Sequence, residues 1–263
     1  MPKGIDLRTT FNTEAVLYRA IRPCYPEALF DALVKTTALR DDARLLEIGP
    51  GAGQATESLA KRGFAIVAVE IGEDLAAVAR EALNQYANVH IVTGAFEEAE
   101  FPPESFDLVY AATALHWIKP EVRFSKPHQL LKAGGSLAVI STHHVSDEAG
   151  DAFFFASQPI YKQHKPGGTY DDNLCLTRSA ELTPDAVDEN IFAPVRFDVF
   201  PLAVRYSATE YIQLLSTYSP TLSMESDKRA HFLGDIEMLI EDKFDGSIVK
   251  HYAMTLTIAK KRS

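Results

Sequence analysis

The chain has 263 residues, 46% of them hydrophobic, which is enough apolar material for one large α/β domain and too much for a disordered chain. Its net charge of -10 works against a phosphate backbone as partner, and the dense basic run Lys260-Lys261-Arg262 reads as a solvated end, so no nucleic acid is expected. Cys24 and Cys175 are too few for a disulfide framework and lack metal-ligand spacing; no signal-peptide pattern and no apolar run of membrane length is present, so a reduced, cytoplasmic protein without a membrane span is expected.

In chain order, Thr9 to Thr37 reads as helical, with Ala15, Tyr18 and Arg22 on one side. Pro23 and Pro26 interrupt it, and Ala28-Leu29-Phe30 with Leu33-Val34 starts a second helix. From residue 44 strands and helices alternate. Leu45 to Ile48 is an apolar strand, followed by a glycine loop and a helix from Ala55 to Lys61 that stops at Gly63. Phe64 to Val69 is the second strand, and Glu73 to Leu83 is a helix with Leu75, Val78, Ala79, Ala82 and Leu83 on one face. Val89 to Val92 and Phe106 to Ala111 are the third and fourth strands. A helix starts near Pro120, and Pro127 inside it predicts a kink. Gly134-Gly135 precedes a fifth strand, Ser136 to Ile140.

From His143 to Ile191 this rhythm stops; the stretch is aromatic (Phe153-Phe154-Phe155, Tyr161, Tyr170) and reads as an inserted lid. Arg196 to Tyr206 alternates like a strand, Ala208 to Leu215 and Ser226 to Phe244 are helical, and Ser247 to Ala259 is a closing strand. The expected architecture is a doubly wound, mostly parallel seven-stranded α/β sheet. It forms one domain over residues 1–263, with an N-terminal helical cap at 1–40 and lid segments at 143–193 and 207–246. Ligand is expected at the carboxyl ends of the strands, near the switch in strand order.

The most informative stretch is Glu47-Ile48-Gly49-Pro50-Gly51-Ala52-Gly53, where a strand meets a helix. Glycines there let the backbone approach a ligand with no Cβ in the way. The dinucleotide pattern G-x-G-x-x-G/A, counted from Gly49, would need its last small residue at Gln54, whereas the third glycine comes one residue early, at Gly53. An acid at Glu47 would repel a pyrophosphate and suits a cationic ligand, an ammonium or a sulfonium. Glu70 ends the second strand, where a carboxylate can accept both hydroxyls of a ribose.

Together with Val67-Ala68-Val69-Glu70, Ser105-Phe106-Asp107-Leu108-Val109 and Leu131-Lys132-Ala133-Gly134-Gly135, this loop resembles the class I S-adenosylmethionine methyltransferases. With Tyr18-x-x-x-Arg22-Pro23-x-Tyr25-Pro26, the likeness points to their small-molecule branch of trans-aconitate methyltransferase-like enzymes. The resemblance implies S-adenosylmethionine as cofactor. Gly49, Gly51 and Gly53 would pass its methionine part and Glu47 would hold the amino group, directly or through water. Glu70 would bind the ribose and Ile71 the adenine. The loop Gly94-Ala95-Phe96 would cover the other adenine face, and the backbone at Ala111 and Ala112 would approach the methionine end. Relatives often carry an aspartate where this chain has Ala95, and proline where it has Ala133, two departures from the pattern.

Methyl transfer needs the nucleophile in line behind the methyl group, so proximity can supply much of the catalysis. His116, just past the fourth strand, is the candidate general base, with Trp117 as an active-site wall. The plainer alternative makes His116 a helix cap and Trp117 packing. Tyr18 and His143 are candidate substrate contacts, and Arg22 could pair with the cofactor's carboxylate. No metal site is expected, since His116, His143 and His144 lack a nearby Cys or carboxylate. The acceptor expected is O or N of a small molecule, a carboxylate among them. A nicotinamide-dependent oxidoreductase and a non-catalytic cofactor-binding protein stay open as alternatives.

Overall fold

The computed structural model describes residues 15–146, 151–172 and 174–262. The part of the first predicted helix before Ala15, and residues 147–150 of the expected lid, lie outside them. Among the described residues the strands are β1 (Arg44–Ile48), β2 (Ala65–Glu70), β3 (Val89–Thr93), β4 (Phe106–Ala112), β5 (Leu131–His144), β6 (Phe192–Ser207) and β7 (Ser247–Lys261). The helices are α1 (Ala15–Ile21), α2 (Glu27–Thr37), α3 (Gln54–Ala60), α4 (Glu73–Ala82), α5 (Pro120–Arg123), α6 (Ser125–Leu130), α7 (Ala152–His164), α8 (Ala208–Ser216), α9 (Ser219–Leu222) and α10 (Ser226–Lys243).

The strands form one seven-stranded sheet in the order β3-β2-β1-β4-β5-β7-β6, so strand order switches between β1 and β4. The pairs β1–β2, β1–β4, β2–β3 and β4–β5 are parallel. β1 is buried along its length except for Arg44, as an apolar strand covered on both faces should be. Register fixes what stands at the carboxyl edge. Ile48 is level with Val69 on one side and Ala111 on the other, Glu70 is level with Thr93, and Ala112 with Ile140. The residues that follow each strand, Gly49, Ile71, Gly94 and Thr113, therefore emerge along one edge of the sheet.

Between β4 and β5 the register shifts, because Phe106 faces Leu131 whereas Leu108 already faces Ser136. The surplus residues include Gly134 at φ +77° and Gly135, where a Cβ would stand 3.0 Å from the Asp107 carbonyl. β5 therefore begins at Leu131, ahead of the predicted Ser136. The predicted kink from Pro127 takes the form of a break into α5 and α6 at Phe124. Proline lacks the N–H that would bond back toward Arg123, and its ring crowds that carbonyl.

The chain divides into two compact units. The larger takes the described residues of Cys24–His143, Leu182–Phe200 and Met254–Ser263; the smaller takes those of Met1–Pro23, His144–Glu181 and Pro201–Ala253. Residues 24–40 of the expected N-terminal cap and 182–193 of the expected lid thus belong to the larger unit. Its core is built on Leu46, Ile48, Val69, Val109, Leu137 and Phe192, with Ala68, Ala76, Ala79, Leu83 and Ile91 packing α4 onto the sheet. The smaller unit has its own core of Phe153, Tyr206, Tyr211, Phe232, Ile236 and Tyr252. The aromatic run at 153–155 contributes Phe153 and Phe154 to buried positions and leaves Phe155 exposed.

Candidate active site

The glycine loop leaves β1 through three residues of positive φ, Gly49 (+64°), Gly51 (+57°) and Gly53 (+86°). Two of them also have no room for a side chain. A Cβ on Gly49 would stand 2.7 Å from the Ala114 Cβ, and one on Gly53 would stand 2.8 Å from Leu83 Cδ1. The first contact presses the loop after β1 against the loop after β4, and the second lets α4 approach the loop.

Glu70 is buried, and both its oxygens are engaged. Oε2 accepts from the Gly51 N–H at 2.9 Å and Oε1 from the Gly72 N–H at 2.8 Å. Burial raises its pKa, against the opposing effect of the Gly72, Gly51 and Ile71 N–H groups. The carboxylate thus ties the glycine loop to the end of β2, and each oxygen retains lone-pair capacity for a further donor such as a ribose hydroxyl. Ile71, half-buried, follows it.

Glu47, which the resemblance sets at the cofactor's amino group directly or through water, lies in β1 out of contact with solvent. It is fully buried; Oε2 accepts from Thr56 Oγ1 at 2.6 Å and from the Tyr110 hydroxyl at 2.7 Å, and Oε1 has no hydrogen-bond partner. Its hydrogen bonds join β1 to α3 through Thr56 and to β4 through Tyr110. Burial pushes its pKa up to about 7, the Thr56 and Tyr110 hydroxyls opposing that rise and the nearby Glu70 adding to it. Burial, with Glu47 beside it, also holds the Tyr110 hydroxyl well above its ordinary value. The sequence signal for this trio was a hydroxyl on each of two otherwise apolar neighbours, Thr56 in α3 and Tyr110 in β4.

The loop after β3 begins at Gly94, whose N–H donates to the Glu70 carbonyl at 2.8 Å. Ala95 is half-buried beside it, but the Phe96 side chain turns into the core and is 3% exposed. An adenine-covering role for the Phe96 ring is therefore not what this arrangement offers; the backbone of 94–95 is what lies at the strand ends. Lys126, which the sequence reading passed over, clamps this loop. Its Nζ donates to the carbonyls of Phe96 (2.7 Å), Glu97 (3.1 Å) and Ala99 (2.6 Å).

At the end of β4, Ala111 is buried and Ala112 half-exposed, leading to Thr113. Thr113 has φ +57°, a left-handed conformation that a β-branched residue rarely adopts, at a cost of about 1–3 kcal/mol. Its N–H donates to the Ile140 carbonyl at 2.7 Å. Its hydroxyl lies 3.2 Å from the Tyr25 hydroxyl and 3.3 Å from that of Thr142. Those separations are long for hydroxyl pairs and solvent-exposed, worth at most about 1 kcal/mol in total, so they do not offset the strain.

His116 follows in a 3-10 turn, Leu115–Trp117, with an exposed ring 4.8 Å from that of the half-buried Trp117. Desolvation by its surroundings, aided by Arg123, lowers the His116 pKa, while Asp185 opposes. His143 pairs with Thr255 Oγ1 at 3.2 Å. Tyr18 and Arg22 belong to the smaller unit, where the Arg22 guanidinium lies between the Tyr18 and Tyr218 rings and donates to Thr217 Oγ1 (2.9 Å) and the Thr217 carbonyl (2.8 Å).

A family model described as a methyltransferase domain matches residues 46–139, the stretch from β1 through β5. An uncharacterized methyltransferase-like protein of Schizosaccharomyces pombe is 30% identical over 220 residues, 83% of this chain and 80% of the relative. The chain belongs to the class I S-adenosylmethionine-dependent methyltransferases. An uncharacterized methyltransferase of Mycobacterium tuberculosis is 31% identical over 135 residues, so the match spans about half of each chain, 51% of this one and 53% of the relative. Among solved structures, a Haemonchus contortus phosphoethanolamine N-methyltransferase in complex with phosphomonomethylethanolamine and S-adenosylhomocysteine shares the fold. Its TM-score is 0.54 at 17% identity, covering 100% of this chain and 62% of that one. In this methyltransferase-family chain the strand order and register bring Gly49, Glu70, Gly94 and Ala112 to one edge.

Proposed function

We propose that the chain is an S-adenosylmethionine-dependent methyltransferase acting on an oxygen or nitrogen of a small-molecule acceptor, a carboxylate among the candidates. The observation that carries this reading is the tie between the glycine loop and Glu70, a buried carboxylate reaching the Gly51 N–H at the switch in strand order. The residues suit the cofactor. Gly49, Gly51 and Gly53 turn the loop through positive φ, and Gly49 and Gly53 let it pack closely on Ala114 and Leu83. Glu70 has lone-pair capacity for ribose hydroxyls, Ile71 offers an apolar face to adenine, and Ala95 backbone borders the same edge. The Glu70 carboxyl at the loop favours a cationic ligand over a pyrophosphate.

When bound, S-adenosylmethionine supplies an electrophilic methyl group. The chain's part is to hold the acceptor in line and keep the site dry. His116, whose pKa is shifted down, is neutral near pH 7 and suited to take a proton from an acceptor that must lose one. Trp117 stands beside it as an apolar wall.

The test is calorimetric titration with S-adenosylmethionine and with NAD, for wild type and Glu70→Gln. Glutamine keeps one oxygen but turns an amide NH2 toward a backbone N–H. S-adenosylmethionine should bind wild type in the micromolar range, and the variant should bind about 10–100-fold more weakly, the worth of a hydrogen bond to a charged group. Binding of NAD alone, or of neither, would refute the proposal.

A further inference from the structure

We propose that Asp185 supports His116 as the base that takes the acceptor's proton, by offsetting the positive charge that the imidazole ring gains. This rests on the methyltransferase reading and adds to that site a residue from the loop before β6. Asp185 belongs to the larger unit, as His116 does. Its Oδ1 accepts from Ser141 Oγ at 2.7 Å and its Oδ2 from Thr257 Oγ1 at 3.2 Å, while its N–H donates to Thr257 Oγ1 at 2.9 Å. Ser141 follows Ile140, which is level with Ala112, so this tether stands at the carboxyl edge from which the turn carrying His116 departs. Packing brings the two segments to one face of the sheet. Leu115 and Ile118, on either side of His116, and Val187 and Ile191, just after Asp185, join one cluster with Val139 and Ala259. Val139 and Ala259 lie two residues from Ser141 and Thr257 along their strands, hence on the face that those hydroxyls share.

The Asp185 carboxylate is half-buried and held by neutral hydroxyls. Among the described residues no lysine or arginine pairs with it. A carboxylate partly withdrawn from water gains from a cation, and the fold supplies none at rest. Desolvation and the Arg123 guanidinium of α5 resist protonation of the His116 ring, and Asp185 is the charged group that favours it. The reaction creates the missing cation. As the acceptor's oxygen or nitrogen bonds to the methyl carbon, the carbon–sulfur bond breaks with its electron pair staying on sulfur, and the acceptor's proton moves to a ring nitrogen of His116. The positive charge that sulfur held is thereby exchanged for one on the imidazolium. A fixed carboxylate is worth most where a full charge appears during the reaction. Asp185 acts through His116 and touches no reacting atom, which makes it a positioning residue.

The experiment uses the full chain labelled with 13C at histidine Cε1, the His116 resonance being assigned by its loss in His116→Gln. Its titration midpoint is read in the complexes with S-adenosylhomocysteine and with S-adenosylmethionine. Asp185→Asn removes the charge and keeps the hydrogen bonds, because the Ser141 and Thr257 hydroxyls can accept from an amide as well as donate to it, so the urea midpoint should stay near that of wild type. The His116 midpoint should fall by about half a pH unit or more in Asp185→Asn, and Asp185→Glu, which keeps the charge, should retain most of that difference. In wild type the midpoint should be lower with S-adenosylmethionine than with S-adenosylhomocysteine, since a sulfonium opposes a second positive charge at the site. The proposal is overturned if Asp185→Asn leaves the midpoint unchanged, if Asp185→Glu falls as far as Asp185→Asn, or if the two complexes give the same midpoint. Calorimetric titration with both ligands separates the two levels. If neither binds, the methyltransferase reading fails and the role of Asp185 falls with it; if they bind, an unmoved His116 midpoint sinks that role alone.

Discussion

Replacing Glu47 by glutamine should remove most of one pH dependence of stability. In the unfolded chain this carboxyl titrates near its ordinary value of 4.5, and burial moves it up to about 7 in the fold. Between those values the folded state holds a proton that the unfolded state has released, so stability falls as pH rises. Above the folded value both states are ionised and the loss is complete. Integrating the proton difference from about pH 5 to about pH 8 gives a loss of about 2.5 kcal/mol. Glutamine keeps an oxygen for the Thr56 and Tyr110 hydroxyls and does not titrate. Its NH2 enters the space where Oε1 has no partner, so the variant starts lower, by about 1–3 kcal/mol at acid pH. The assay is urea unfolding of both proteins across that pH range. The exposed carboxyls titrate in both, so the difference between the curves reports Glu47 together with its coupling to Glu70. The wild-type curve should descend toward the variant's as pH rises, and parallel curves would refute the claim that Glu47 carries its charge in a desolvated site.

Gly49→Ala should cost about 2–5 kcal/mol, since the left-handed backbone and a Cβ 2.7 Å from that of Ala114 act together, and it should abolish S-adenosylmethionine binding by calorimetry. Lys126→Met removes three hydrogen bonds from the loop after β3. The expected result is faster amide exchange at residues 94–99 and cofactor affinity about tenfold weaker, from roughly 1–2 kcal/mol of lost loop order. In the smaller unit, Lys250 pairs with Asp151 at 3.2 Å, both buried, and Asp151 also caps α7 through the Phe154 N–H. Lys250→Met leaves that carboxylate without its cation and should lower stability by about 3–5 kcal/mol, whereas Lys250→Met with Asp151→Asn should recover part of it; urea unfolding of the single and double variants decides.

The sheet was legible because its strands are short continuous apolar runs between turn residues, and the glycine loop and Glu70 because their spacing is local. Element ends moved where tertiary contacts reached past the local pattern. β5 begins five residues early because it pairs with β4 across a bulge, and the helix after Pro120 breaks at Phe124 because Pro127 acts one turn back. The direction in which a side chain faces was harder to read. Glu47 looked like a ligand contact, but its partners are Thr56 and Tyr110, the latter 63 residues away. Phe96 belongs to an expected binding loop, yet its ring fills the core. Lys126 serves three carbonyls that no side-chain pattern announces. The hydroxyl contacts of Thr113 join positions 25, 113 and 142, which share no period, and a threonine of positive φ contradicts the propensity by which turns are recognised.

The adjacency of β1 and β4 also has a kinetic meaning. Leu45 to Ile48 pair with Leu108 to Ala111, so the chain must close a span of about sixty residues before the edge that carries Gly49 and Thr113 exists. Neither β1–β2 nor β2–β3 alone can assemble it. Closure of so distant a pair is expected late in folding, after the nearer strands have docked. A nascent chain released before β4 would have its glycine loop without the surface that loop rests on. Cofactor would then bind only molecules that have completed the sheet, and its presence would draw the population toward them by mass action.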